Sequence, residues 1–149
     1  MPDALLFTID AARYAIPLRD VAEVVSAVNV LALPDAPGIV EGVVNVRGDV
    51  VPVLSLRARL GHAPRQSDIS EYFILVNARH RRVIIRSDTT PEIVSLPEIK
   101  ASIDEPVERA LAGVLPLPSG VAVFQDINRF IEGDDEPALE SALAARGPA

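Results

Sequence analysis

The stretch PGIVEGVVNVRGDVVPVL, residues 37–54, decides how the rest of the chain is read. Two Val-rich runs flank a polar centre, Asn45-Val46-Arg47-Gly48-Asp49. β-Branched residues suit a pleated, half-buried surface, and a glycine beside a small polar residue suits a tight turn. The stretch therefore reads as a hairpin: strand GVVNV, a type II′ turn centred on Gly48-Asp49, then strand VVPVL. Val43, Val44, Val46, Val50, Val51 and Val53 are expected in the core. Gly42, Asn45, Gly48 and Pro52 are read as structural, with Asn45 satisfying a backbone group inside the hairpin. Arg47 projects at the tip, either solvated or as a rigid fork of five donors offered to a partner's carboxylate or carbonyl. Arg47-Gly48-Asp49 also spells the integrin-binding tripeptide, a reading that requires an extracellular chain.

Working outward, the dominant period is two. ALLFTID and RYAIPL alternate as strands, with Asp10–Arg13 long enough for a hairpin connection. In PLRDVAEVVSAV, Leu18, Val21 and Val24/Val25 are spaced for one helical face, with Arg19, Asp20 and Glu23 outward. A short helical turn is expected there, then extended VNVLALP. SEYFILVNARHRRVIIRSD reads as two strands about a charged turn, and TPEIVSLPEI and GVAVF as further strands. DINRFIEG reads as a short helix from Asp126, with Gly133 past its end. LPLPSG is a short link. The acidic, Ala-rich tail 134–149 either forms a helix from Pro137 or frays. Many short strands with frequent turn signals indicate an all-β barrel or sandwich.

Composition narrows the function. The 149 residues contain no cysteine, which removes a disulfide framework, a thiolate nucleophile and Cys-ligated zinc. No apolar run approaches the roughly 20 residues of a membrane helix, and MPDALLFTID makes a poor signal peptide, so a cytoplasmic location without membrane insertion is expected. A net charge of −7 argues against a fold-wide nucleic-acid surface. The basic cluster RHRRVIIR, residues 79–86, is read as a solvated hairpin turn and its flanks in preference to a phosphate-binding patch.

Catalytic signatures are scarce. His62 and His80 lie in polar, turn-like segments without a second ligand at metal spacing, and are read as surface histidines. No nucleophile elbow or phosphate loop occurs. The acidic pairs Asp104-Glu105 and Asp134-Asp135 read as solvated charge. No catalytic group, cofactor or metal is expected.

Tyr14-Ala-Ile-Pro-Leu-Arg-Asp-Val-Ala-Glu-Val24, then Pro34 and Pro37, then Gly42-Val-Val-Asn-Val-Arg-Gly48 and Val51-Pro-Val-Leu-Ser-Leu56 closing on Leu60-Gly61, together resemble the CheW family. Those proteins are scaffolds coupling chemoreceptors to the histidine kinase CheA. Leu111-Ala-Gly113-Val114 and the segment from Val121 to Ile131 extend the likeness, which covers about residues 4–131. The resemblance implies two small β-barrel subdomains sharing a core, approximately 16–82 and 1–15 plus 83–133, within one domain spanning 1–133. It implies an adaptor, not an enzyme, with a CheA-like kinase regulatory domain and a chemoreceptor cytoplasmic tip as partners. By position, Arg47 matches the receptor-groove arginine, and Val21 and Glu23 match groove-edge residues. Read from the residues alone, Val21 is equally a core residue and Glu23 a helix-surface charge. Ser55 stands where the family usually has an acid, Arg86 where it has an apolar residue, and Ser87-Asp88-Thr89-Thr90 replaces its V-D-x-V segment. From a different class, a β-barrel sensing a small anion through Arg47 and the arginine cluster remains the alternative.

Overall fold

A computed structural model of the chain describes residues 3–32, 40–66, 68–79, 81–95, 114–117, 120–124 and 127. The strands are β1 (Asp3–Ile9), β2 (Ala12–Pro17), β3 (Val21–Ser26), β4 (Leu31–Ala32), β5 (Val40–Val46), β6 (Asp49–Leu54), β7 (Tyr72–Asn77), β8 (Arg82–Ser87), β9 (Glu92–Ser95), β10 (Val114–Leu117) and β11 (Gly120–Phe124). One four-residue helix, α1 (Leu56–Arg59), follows β6. The expected all-β class holds.

The strands form two sheets. One runs β10-β11-β2-β1-β9 and the other β3-β7-β8-β6-β5-β4. Period-two alternation gives the second sheet two apolar faces. Ile74, Val76, Val83, Ile85 and Leu54 join Leu5, Phe7, Ile9, Tyr14 and Ile16 of the first sheet in one shared core. Their neighbours Phe73, Leu75, Ile84, Val53, Val51 and Val44 turn the other way into a second cluster inside the curl of their own sheet. A strand sealed on both faces reads as a continuous apolar run, as FILV in β7 does.

The β1–β2 and β5–β6 hairpins both turn through left-handed residues. Ile9 pairs with Ala12 around Asp10 (φ 51°) and Ala11 (φ 71°). Val46 pairs with Asp49 around Arg47 (φ 50°) and Gly48 (φ 94°). Two consecutive positive φ values define a type I′ turn, whose twist matches that of the strands. The expected II′ turn at Gly48-Asp49 is thus displaced by one residue, and Arg47 is itself a central turn residue. Ala11 carries a side-chain clash that glycine would avoid. Ala11→Gly is expected to stabilise the protein by about 0.5–1 kcal/mol, the relief of strain exceeding the entropy added to the unfolded chain. A shift of the urea midpoint to lower concentration would contradict this.

Three other expectations change. The helical turn is confined to a 3-10 turn at Leu18–Asp20, and Val21–Ser26 is a strand. A β-bulge between Val21 and Glu23 breaks the alternation and imitates helical spacing. Part of the supposed link LPLPSG is β10, on the outer edge of its sheet, where Pro116 is tolerated. Val50 is exposed rather than core, opposite exposed Asn45, and Val46 is half-buried. Val43, Val44, Val51 and Val53 are buried as expected. Of the expected helix from Asp126, only Ile127 is described; it is helical and buried. The remainder of that helix, the tail, His80, Asp104-Glu105 and Leu111–Gly113 lie outside the described residues.

Candidate functional site

The hairpin tip is built from its turn outward. Asn45 Oδ1 accepts a hydrogen bond from the Gly48 N–H at 2.8 Å, closing the turn. Arg47 then extends sideways, and its Nη2 donates to both carboxylate oxygens of Glu23 at 2.6 Å. β3 and β5 are not neighbours: β7, β8 and β6 lie between them. In a flat sheet they would stand about 19 Å apart. The ion pair therefore spans the mouth of a sheet curled into a half-barrel, and the cluster around Phe73 fills the space beneath it.

Arg47 is neither freely solvated nor packed away. Its side chain is 70% exposed while held at one nitrogen. The bond from Arg47 holds the Glu23 carboxyl below its ordinary range, with the charge of Arg82 adding to it. Glu23 in turn raises the Arg47 pKa. Glu23 is on a strand rather than on a helix surface. The bulge sends Val21 to the other side of β3, where it is half-buried against the core shared by the two sheets. Of the three residues matched to a receptor site, the fold brings Glu23 and Arg47 together and turns Val21 toward the inter-sheet junction. Val24, next to Glu23, is partly exposed at the same junction edge.

The opposite end of the half-barrel carries a cluster that local sequence patterns did not reveal. Arg86, 6% exposed, is bound through Nε and Nη2 to Glu71, itself 1% exposed, and through Nη1 to Glu41. Arg65 links Glu71 to Asp88. Arg57, also 6% exposed, joins Asp88 to Asp10 and donates to the Ala63 carbonyl. The chain of charges thus runs from β5 to the β1–β2 turn, across both sheets. Burial pushes the Glu71 carboxyl up, but Arg86, Arg65 and the Asp68 N–H together hold it below its ordinary value. The same clasp continues in Ser87-Asp88-Thr89. Thr8 N–H donates to Ser87 Oγ, Thr8 O accepts from Asp88 N–H, and Asp10 N–H donates to Asp88 Oδ2.

His62 belongs to this cluster and is not the surface histidine expected. Its Nε2 meets the Tyr14 hydroxyl at 2.6 Å and its Nδ1 lies 3.3 Å from Asp10. The order carboxylate–imidazole–hydroxyl resembles a nucleophile relay. Tyr14, however, is 6% exposed and stacks on Phe7 within the core, so the contact ties His62 to the packing between the sheets. No group of three or more metal-ligating side chains occurs among the described residues, and no helix there is long and apolar enough to cross a membrane. The basic cluster is likewise reinterpreted: Arg86 is buried in ion pairs, not solvated. Of the cations that the anion-sensing alternative invokes, Arg47 and Arg86 are each paired with a carboxylate.

Comparison with known proteins identifies the architecture. The family model described as CheW-like domain matches residues 3–134. This chain belongs to the CheW-like family. Its CheW-like fold aligns with the crystal structure of the scaffolding protein TtCheW from Thermoanaerobacter tengcongensis at a TM-score of 0.71, with 21% identity over 91% of each chain. Among relatives, the chemotaxis protein CheW of Klebsiella aerogenes is 26% identical over 142 residues, covering 92% of this chain and 86% of its own. The probable chemotaxis protein CheW of Rhizobium etli is 24% identical over 120 residues, 75% and 77% of the two chains. The departures from the CheW-like pattern have local explanations. Ser55 Oγ accepts the Ala58 N–H and so caps α1, a role an acid also fills. Arg86 is accommodated at an otherwise apolar position because Glu71 and Glu41 meet it there.

Proposed function

We propose that this protein is a non-catalytic adaptor that couples chemoreceptors to a CheA-type histidine kinase in a chemosensory pathway. The observation that carries the reading is the Glu23–Arg47 pair, held exposed across the mouth of a half-barrel in a CheW-like fold. The relatives' names, chemotaxis protein CheW, support it. The pair fixes the direction of the guanidinium before a partner arrives, which lowers the ordering cost of binding. Glu23 and Arg47 would frame the receptor's helical tip with polar contacts while Val21, at the junction of the sheets, adds apolar area. The two subdomains, about 16–82 and 1–15 plus 83–133, are taken to follow the two sheets, with β2 (Ala12–Pro17) kept in the second and β8 (Arg82–Ser87) moved to the first, and a separate surface meets the kinase regulatory domain. The output is geometric: receptor and kinase are kept in fixed relation, so a change in one biases the conformational equilibrium of the other. Such a protein works in the cytoplasm at receptor arrays.

Reconstitution tests this. Receptor cytoplasmic fragments and the cognate kinase are mixed with and without this protein, and kinase autophosphorylation is followed with co-sedimentation. Stimulation that requires all three components is expected. A folded protein that neither co-sediments nor changes kinase activity contradicts the proposal. Arg47→Ala is expected to weaken receptor co-sedimentation about tenfold, as loss of a charge-assisted contact does, with little change in melting temperature because exposed ion pairs contribute little to stability. A collapse in melting would make Arg47 structural instead.

A further inference from the structure

At the end of the half-barrel remote from Arg47, a cleft of about 360 Å³ opens between the segment after β3 and the approach to β7. Val28, Val30, Ala32 and Ile69 give it apolar walls, and Glu41 and Asp68 contribute its charged lining. Val28, Leu31 beside it, and Ile69 are all exposed, Ile69 to 81%. Among the described residues no cation lines it. The linked ion pairs behind the cleft are also unequal: the carboxylates of Asp10, Glu41, Glu71 and Asp88 face the guanidiniums of Arg57, Arg65 and Arg86. Among these described residues the carboxylates outnumber the guanidiniums by one, before Asp68 is added, with His62 standing beside Asp10.

We propose that this cleft is a second docking surface, which takes a lysine or arginine side chain carried on an extended, apolar segment of a partner protein. The charge is complementary: a cation entering the cleft meets two carboxylates and balances the excess. The shape agrees, because the aliphatic stem of a lysine or arginine would lie along Val28, Val30 and Ile69 with its head group at Glu41. Glu41 is poised for it. Burial holds its carboxyl above the ordinary value despite the Arg86 contact, and a further cation nearby would favour its charged form. Asp68 stays anionic, its oxygen accepting the Ser70 N–H.

The probe is the blocked pentapeptide acetyl-Val-Lys-Val-Lys-Val-amide, titrated into the ¹⁵N-labelled full chain at low salt, with the Val-Glu-Val-Glu-Val peptide as control. Saturable shifts confined to residues 28–32, 41 and 66–69 are expected for the lysine peptide alone. Because Glu41→Gln also takes a partner from Arg86, the deciding variant is Asp68→Asn, which keeps the oxygen that Ser70 uses. It is expected to weaken binding severalfold, and Ile69→Ser comparably. No saturable shift, equal shifts with the glutamate peptide, or unchanged affinity in both cleft variants overturns the proposal.

Discussion

Arg86→Ala is expected to lower stability by about 3–5 kcal/mol, the cost of breaking a buried ion pair from one side. Two carboxylates lose their partner at once. Glu71, 1% exposed, would keep only Arg65 and the Asp68 N–H, and Glu41 would lose its guanidinium. For a chain of this size the melting temperature should fall by about 6–20 °C. The double variant Arg86→Met with Glu71→Met is expected to cost less than Arg86→Ala alone, because the most deeply buried carboxylate leaves with its partner and only the more exposed Glu41 loses its guanidinium. A melting temperature within about 2 °C of the parent for Arg86→Ala would mean that the ion pairs behind β8 do not hold the sheets together.

The same cluster sets the acid limit of stability. Asp10, bonded by Arg57, and Glu71 both have folded pKa values below their ordinary 3.8 and 4.5. A depressed value means that the unfolded chain binds protons first, so the stabilisation is complete above the ordinary values and disappears as pH falls through the depressed ones. Glu41 acts in the opposite direction: with its value raised, ionisation above the ordinary 4.5 disfavours the fold. Urea midpoints measured from pH 7 downward should therefore fall steeply only below about pH 4.5. A midpoint that rises through that range would contradict the assignment.

Gly42→Ala is the second large effect. A methyl group at Gly42 would overlap the Leu31 carbonyl oxygen and approach Val30 Cγ1 to 2.7 Å. The carbonyl is backbone in β4, paired to Gly42's own strand, and cannot swing away as a side-chain end would. The strands must separate and the Val30 side chain shift, at about 1–3 kcal/mol or more. Gly48→Ala makes the useful contrast. It has open space but a φ of 94°, so its cost is conformational and smaller, about 1 kcal/mol. Equal stability of Gly42→Ala and the parent in urea would show that β4 is not packed as tightly as described.

The architecture was legible wherever alternation was undisturbed. FILVN, RVIIRS and VVPVL announced strands; that their sheet is covered on both faces emerged only from the fold. Reading failed where one residue broke the period. The bulge beside Ala22 gave β3 the spacing of a helix. At the hairpin tip the turn was placed at Gly-Asp, whereas it centres on Arg47-Gly48 although arginine disfavours positive φ. Asn45 and Glu23 reverse that preference, one closing the turn and the other holding the guanidinium. Motif likeness singled out Glu23 and Arg47, but not that they touch across the curled sheet. The ion cluster was invisible for another reason. Asp10, Arg57 and Asp88 lie 47 and 31 residues apart along the chain, with no local period to join them. The one available hint was an arginine, Arg86, at the end of the apolar run VII.

Proximity of the half-barrel mouth to a receptor is the claim on which the rest depends. Because the chain has no cysteine, Ala22→Cys beside Glu23 reports on that edge alone, and Thr90→Cys reports on the far end. In assembled receptor–kinase complexes, oxidation should cross-link Ala22→Cys to a cysteine series on the receptor's helical tip with one-turn periodicity, and leave Thr90→Cys free. Cross-linking of Thr90→Cys with none at Ala22→Cys would contradict the account.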